Sequence, residues 1–191
     1  FINRYYSVYK KKILEIGSAS GGFLDFLNKK FGCVSYYNDL SDEANEVLEN
    51  KNYLSKDNNK EKNYDLIILR HTLEHIENID QFILYIKNKI SENGMFFVEV
   101  PDWTVFDRNC DPLIFEHLSQ FTFLGLTKFF ERNNWTIEAM EKSICSTDPG
   151  TPNRVIRLLV SPPSKFKNIP NKIDKNFKKH YISFDNDTSN K

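Results

Sequence analysis

A carboxylate, Glu15, stands inside the apolar run Ile13-Leu14-Glu15-Ile16, two positions before the turn Gly17-Ser18-Ala19-Ser20-Gly21. Burying a carboxylate in such a run is costly unless something satisfies it. A ligand that brings an ammonium or hydroxyl groups to the end of the run would do so. The turn uses only Gly, Ser and Ala, so its backbone can come close to that ligand. A second carboxylate, Asp39, follows in Tyr36-Tyr37-Asn38-Asp39-Leu40, about 20 residues beyond the glycines, where a carboxylate can accept hydrogen bonds from ribose hydroxyls. Asn38 is the alternative one residue away, and capping a helix that starts near Asp42 is the plainer role for Asp39. The spacing Gly17-x-Ala19-x-Gly21 is not the G-x-G-x-x-G of a pyrophosphate cradle, which argues against a nicotinamide oxidoreductase.

These residues need a strand, a tight turn and a helix to place them, and the rest of the chain supplies more such units. Leu66 to Leu69 is an apolar run too short for a helix, so it reads as a buried strand. It leads into Arg70-His71-Thr72-Leu73-Glu74-His75-Ile76. Phe82, Ile83, Ile86 and Ile90 recur at helical spacing behind Asn78, an N-cap, and Ser91 to Gly94 close that helix. Gly94 to Pro101 reads as the next strand, Leu124 to Arg132 as a helix, and Trp135–Glu141 and Asn153–Val160 as a closing pair. A turn-rich link, 147–152, joins that pair without a helix, so the two strands are expected to be antiparallel. The expectation is an α/β fold.

The acidic-x-Gly-x-Ala-x-Gly turn resembles the first motif of class I S-adenosylmethionine (SAM) dependent methyltransferases, with Ala19 replacing the usual middle glycine. His71-x-Leu73-Glu74-His75-Ile76 is similar to a motif after the fourth strand of a large subgroup of that family. The resemblance implies a Rossmann-like, doubly wound, seven-stranded sheet, mostly parallel with an antiparallel last strand. It implies SAM as cofactor and S-adenosylhomocysteine as product. Glu15, Gly17, Ser18, Ala19, Gly21, Asp39, Leu40, Arg70 and His71 would form the cofactor site.

Glu116-His117-Leu118-Ser119-x-Phe121 resembles an element of sugar C-methyltransferases in which the last His is a catalytic base; that position is His117. The first His of the element is Phe115 here, which questions a two-histidine mechanism. Histidine suits base work because it titrates near working pH. Asp102 or Glu116 would orient it, and Tyr5, Tyr6, Trp103 and Phe115 would shape the acceptor pocket. The expected reaction is O-methylation of a small molecule, a sugar or nucleotide-linked sugar that is a precursor of a surface polysaccharide. C-methylation of a keto sugar is the alternative, as is an inactive binding module that keeps the fold. Capping of the helix near Leu124 is the structural alternative for Glu116 and His117. No metal is expected, because His71, Glu74 and His75 lack the H-E-x-x-H spacing. Glu74 and His75 are expected to tie their loop down by hydrogen bonds.

Composition narrows the classes further. Lys plus Arg and Asp plus Glu are both 26, and the zero net charge gives no electrostatic case for a nucleic-acid partner. Val100-Pro101-Asp102-Trp103 is not the Asn/Asp-Pro-Pro-Tyr/Phe tetrapeptide of nucleic-acid methyltransferases. The three cysteines, Cys33, Cys110 and Cys145, form no CxxC pair and read as free thiols of a cytoplasmic protein. No apolar stretch is long enough to span a membrane. Residues 1–161 are expected to be the methyltransferase domain, with a short or truncated N-terminal cover rich in tyrosine that could serve as a lid or a homodimer interface. Residues 162–191 read as a Lys- and Asn-rich tail.

Overall fold

The computed structural model describes residues 1–51, 54–57, 63–104, 116–145 and 153–163. The strands are β1 (Lys12–Ile16), β2 (Val34–Asn38), β3 (Leu54–Lys56), β4 (Tyr64–Arg70), β5 (Ile90–Pro101), β6 (Thr136–Cys145) and β7 (Asn153–Ser161). The helices are α1 (Ile2–Tyr5), α2 (Gly22–Phe31), α3 (Asp42–Glu49), α4 (Ile79–Lys89) and α5 (Phe123–Arg132). One sheet holds all seven strands in the order β3-β2-β1-β4-β5-β7-β6. The first five are mutually parallel, and β7 runs antiparallel to both β5 and β6. The expected α/β sheet is therefore present, with its antiparallel strand inserted between β5 and β6.

Alternation along each strand sends side chains to two faces. Leu14, Ile16, Ile67, Leu69, Phe96 and Val98 pack with Phe82 and Ile86 of α4 and Leu126 and Phe130 of α5. Ile13, Leu66, Ile68, Phe97 and Leu159 face the other way, with Leu24 and Leu27 of α2 and Leu48 of α3. Burial on both faces explains why β1 and β4 read as continuous apolar runs.

Polar caps fix where α3, α4 and α5 begin. Ser41 Oγ accepts from Ala44 N–H, Asn78 Oδ1 from Gln81 N–H, and Thr122 Oγ1 from Gly125 N–H. Each such cap is worth about 1 kcal/mol. Ser41 is thus the N-cap of α3, and Asp39 is left for other work.

Two boundaries and one strand differ from expectation. Ile90 begins β5 rather than ending α4, and residues 91–94 continue the strand. The register against β4 slips there, from Tyr64↔Ile90 to Leu66↔Met95. Gly94 permits the slip, because a Cβ at that position would lie 2.8 Å from the Tyr64 carbonyl oxygen. β6 runs on to Cys145, and β3, only three residues long, has no apolar signature to announce it. The expected tail, 162–191, and Cys110 lie outside the described residues apart from 162 and 163, as does the side chain of Cys145. Cys33 is a free, buried thiol. Among the described residues no helix is long and apolar enough to cross a membrane.

A candidate cofactor cleft at the carboxyl ends of the strands

The strand order reverses between β1 and β4, so the crevice outside their carboxyl ends is where an open α/β sheet receives ligands. Three residues of the first turn have left-handed backbone, Gly17 (φ 76°), Ala19 (φ 46°) and Gly21 (φ 71°). A Cβ on Gly17 would collide with Thr72 Oγ1, so β1 and the loop after β4 close up only around glycine. The turn is knitted by Ser18 Oγ donating to the Glu15 carbonyl (2.8 Å) and by Gly21 N–H donating to the Ser18 carbonyl (2.8 Å).

Asp39 links this turn to β2. Its Oδ2 accepts from Ala19 N–H at 2.8 Å and its Oδ1 from Ser41 N–H at 3.0 Å. Each oxygen retains acceptor capacity toward the cleft. Leu40 beside it is exposed.

Glu15 is 2% exposed, and its Oε2 has no hydrogen-bond partner. Arg70 Nη1 lies 3.9 Å from Oε1. Burial pushes the Glu15 carboxyl up to about 8, against the opposing pull of Arg70. Arg70 also contacts Glu99 (3.2 Å) and lies over the Phe23 ring, 4.7 Å from its centroid. Glu99 is a buried carboxylate inside a strand, as Glu15 is, and receives Arg157 at 2.7 Å. The same sequence signal, a charge within Phe97-Val98-Glu99-Val100, could have singled it out. Beyond this network lies a cavity of about 390 Å³, walled by Phe1, Phe23, Phe31 and Phe97. His71, also left-handed (φ 50°), donates its backbone N–H to the Glu99 carbonyl. Burial lowers its ring pKa, with Glu99 opposing.

A second cluster forms where the loop after β4 meets the segment before α5. Leu73–His75 is a single 3-10 turn, so His71 and His75 do not share a helix face. His75 Nδ1 is 3.0 Å from the Glu116 carbonyl, and Ser119 N–H donates to the Glu74 carbonyl. The loop is tied down as expected, but by the backbone of Glu74 and not its carboxylate. That carboxylate is buried with neither oxygen hydrogen-bonded, and burial raises it to about 7. The His75 and His117 rings pack edge to face, 4.8 Å between centroids. Burial, then His75, lowers the His117 pKa.

Two expected neighbours of His117 or of the acceptor stand elsewhere. Asp102 gives Oδ1 to Thr104 N–H and Oγ1, and Oδ2 to Lys142 Nζ at 2.8 Å, so its carboxylate is committed away from His117. These bonds outweigh burial and hold it below the usual carboxylate range. Tyr6 sits beside Lys11 and Asp65, at the amino ends of β1 and β4, because the chain leaves α1 toward that end of the sheet. It is therefore on the wrong side to shape an acceptor pocket. Tyr5 is half exposed and stacks edge-on with Phe1. Trp103 and His117 line one small space of about 20 Å³, which Glu74 and Phe121 also bound. Glu116 is exposed, and Phe115 lies outside the described residues.

The comparisons with known proteins agree with this architecture. The methyltransferase domain family matches residues 2–140. No curated protein sequence matches the chain. A SAM-dependent methyltransferase from Archaeoglobus fulgidus superposes with a TM-score of 0.62 at 17% identity, covering 84% of this chain and 90% of that one. One from Aquifex aeolicus gives 0.65 at 13% identity over 83% and 86%. A third, from Mesorhizobium loti, gives 0.59 at 15% over 81% and 92%. With the match running from α1 into β6, the chain belongs to the methyltransferase domain family and is a SAM-dependent methyltransferase.

Proposed function

We propose that the enzyme methylates an oxygen of a small-molecule acceptor, a sugar or nucleotide-linked sugar that is a precursor of a surface polysaccharide, in the cytoplasm. The observation that carries this reading is the position of His117. It lies beyond the carboxyl end of β5, half-buried beside Trp103, with a second ring behind it. The residues at the ends of β1 and β2 fit the cofactor. Glu15 offers an unpaired, buried oxygen to an α-ammonium, and Asp39 has one oxygen for each of two ribose hydroxyls. Gly17, Ser18, Ala19 and Gly21 let the backbone approach, and Leu40, Arg70 and His71 line the flanks.

When bound, the cofactor supplies a methyl group on a good leaving group. The chain therefore has to orient the acceptor and take its proton. The unprotonated His117 nitrogen would accept the acceptor hydroxyl's proton as the new C–O bond forms. His75, held by the Glu116 carbonyl, keeps the His117 ring in place, the orienting role that the sequence suggests for Asp102 or Glu116. The resemblance of Glu116-His117-Leu118-Ser119 to the sugar-methyltransferase element supports a sugar acceptor.

The His75–His117 pair also favours a second reading, C-methylation of a keto sugar, because it supplies the second histidine that Phe115 replaces in the sequence element. His117→Ala should cut turnover by about a hundredfold or more while SAM affinity is kept. Loss of SAM binding in that variant would contradict the base role. Nucleotide-sugar acceptors with a ¹³C-methyl donor separate the readings, since an O-methyl carbon resonates well downfield of a C-methyl.

A further inference from the structure

We propose that Glu74, His75 and His117 form a binding site for one divalent transition-metal ion of the zinc class. This goes beyond the proposed reaction and does not rest on it. One donor atom from each residue lies within 4.8 Å of the others. Tetrahedral bonds of about 2.0–2.2 Å set donors about 3.4 Å apart, so small side-chain rotations close the set. One carboxylate with two imidazoles is a donor set suited to zinc.

Three independent features point to a cation. The Glu74 side chain is 2% exposed, and neither of its oxygens has a hydrogen-bond partner. An orphaned buried carboxylate costs free energy that a cation would offset. His75 turns Nδ1 to the Glu116 carbonyl at 3.0 Å, so Nε2 is the nitrogen that would take an ion. Metal-ligating histidines are held this way, with one nitrogen on a carbonyl and the other on the ion. The space of about 20 Å³ beside Glu74 and His117 is room for one water, a fourth ligand. His71 Nδ1 stands 3.7 Å from Glu74 Oε1, beyond hydrogen-bond reach, so it does not satisfy the carboxylate.

An ion held here occupies a His117 nitrogen. This one consequence, unlike the site itself, rests on the proposed base role of His117: an ion there blocks the base, and loading should slow methyl transfer.

The test is titration of the full chain with cobalt(II) alone, read by visible absorption, then displacement by zinc. The expected result is one equivalent bound, with the intense d–d bands of low coordination by nitrogen and oxygen and no thiolate charge-transfer band. Glu74→Gln, His75→Asn and His117→Asn should each weaken binding by about a hundredfold. Glu74→Gln is isosteric, and an unchanged melting curve and SAM affinity show that it folds. No stoichiometric binding, a thiolate band, or affinity unchanged in folded Glu74→Gln would each overturn the site. Transfer assays in the presence of a chelator keep this outcome separate from that of the proposed reaction.

Discussion

Two buried carboxylates on this sheet are treated in opposite ways. Asp57, just after β3, is fully enclosed, and Lys89 Nζ donates to it at 2.6 Å with the Tyr64 and Tyr85 hydroxyls alongside. Glu15, at the end of β1, is as deeply buried but keeps an oxygen with no partner, and its cation, Arg70, stands off at 3.9 Å. The chain supplies Asp57 with its partners and leaves Glu15 with an open oxygen, which costs stability unless a ligand completes it.

The largest expected effect breaks the Asp57 side of this contrast. Lys89→Met should destabilise the protein by about 3–5 kcal/mol, because it strands a buried charge. A shift in the urea midpoint worth under about 1 kcal/mol would place Asp57 in a more forgiving site than its burial suggests. Next in size is Asp39→Ala, which removes charged acceptors from the turn and the cleft. SAM affinity should fall by about 10–100-fold, at about 1.5–3 kcal/mol for hydrogen bonds to a charged group, with the fold intact. Unchanged affinity by calorimetry would remove Asp39 from the site.

The third effect, on stability at Glu15, is absent at acid pH and grows as pH rises. Folding raises this carboxyl from its ordinary value of 4.5 to about 8. The folded protein then holds a proton that the unfolded chain has released. The stability linked to that proton is complete below about 4.5 and is lost as pH rises through about 8. Glu15→Gln should therefore melt close to wild type at acid pH and progressively above it toward pH 9. Parallel melting curves across that range would show that the buried carboxyl is already satisfied.

Much of the cleft could be read from the chain because its parts are local. The charged residue in a short apolar run, the small-residue turn and Asp39 fall within one β-α-β unit. Their spacing is fixed by strand and helix lengths. Tyr6 could not be placed, because nothing in Tyr5-Tyr6 tells which end of the sheet a four-residue helix will deliver them to. Thr72 escaped because its contact with Gly17 joins loops after two different strands. The His75–His117 pair escaped because residues 42 apart meet only once α4, β5 and the segment before α5 are in place. β3 escaped because three polar-flanked residues carry no period.

The proposed role of Glu15 is to take the cofactor's ammonium. It is tested most directly by calorimetric titration of SAM near pH 7, in two buffers of different ionisation enthalpy, for wild type and Glu15→Gln. Wild-type binding should release close to one proton, because a carboxyl raised to about 8 must ionise to meet a cation. The variant should bind about 10–100-fold more weakly, with no such release. Equal affinities with no proton release in either protein would contradict it.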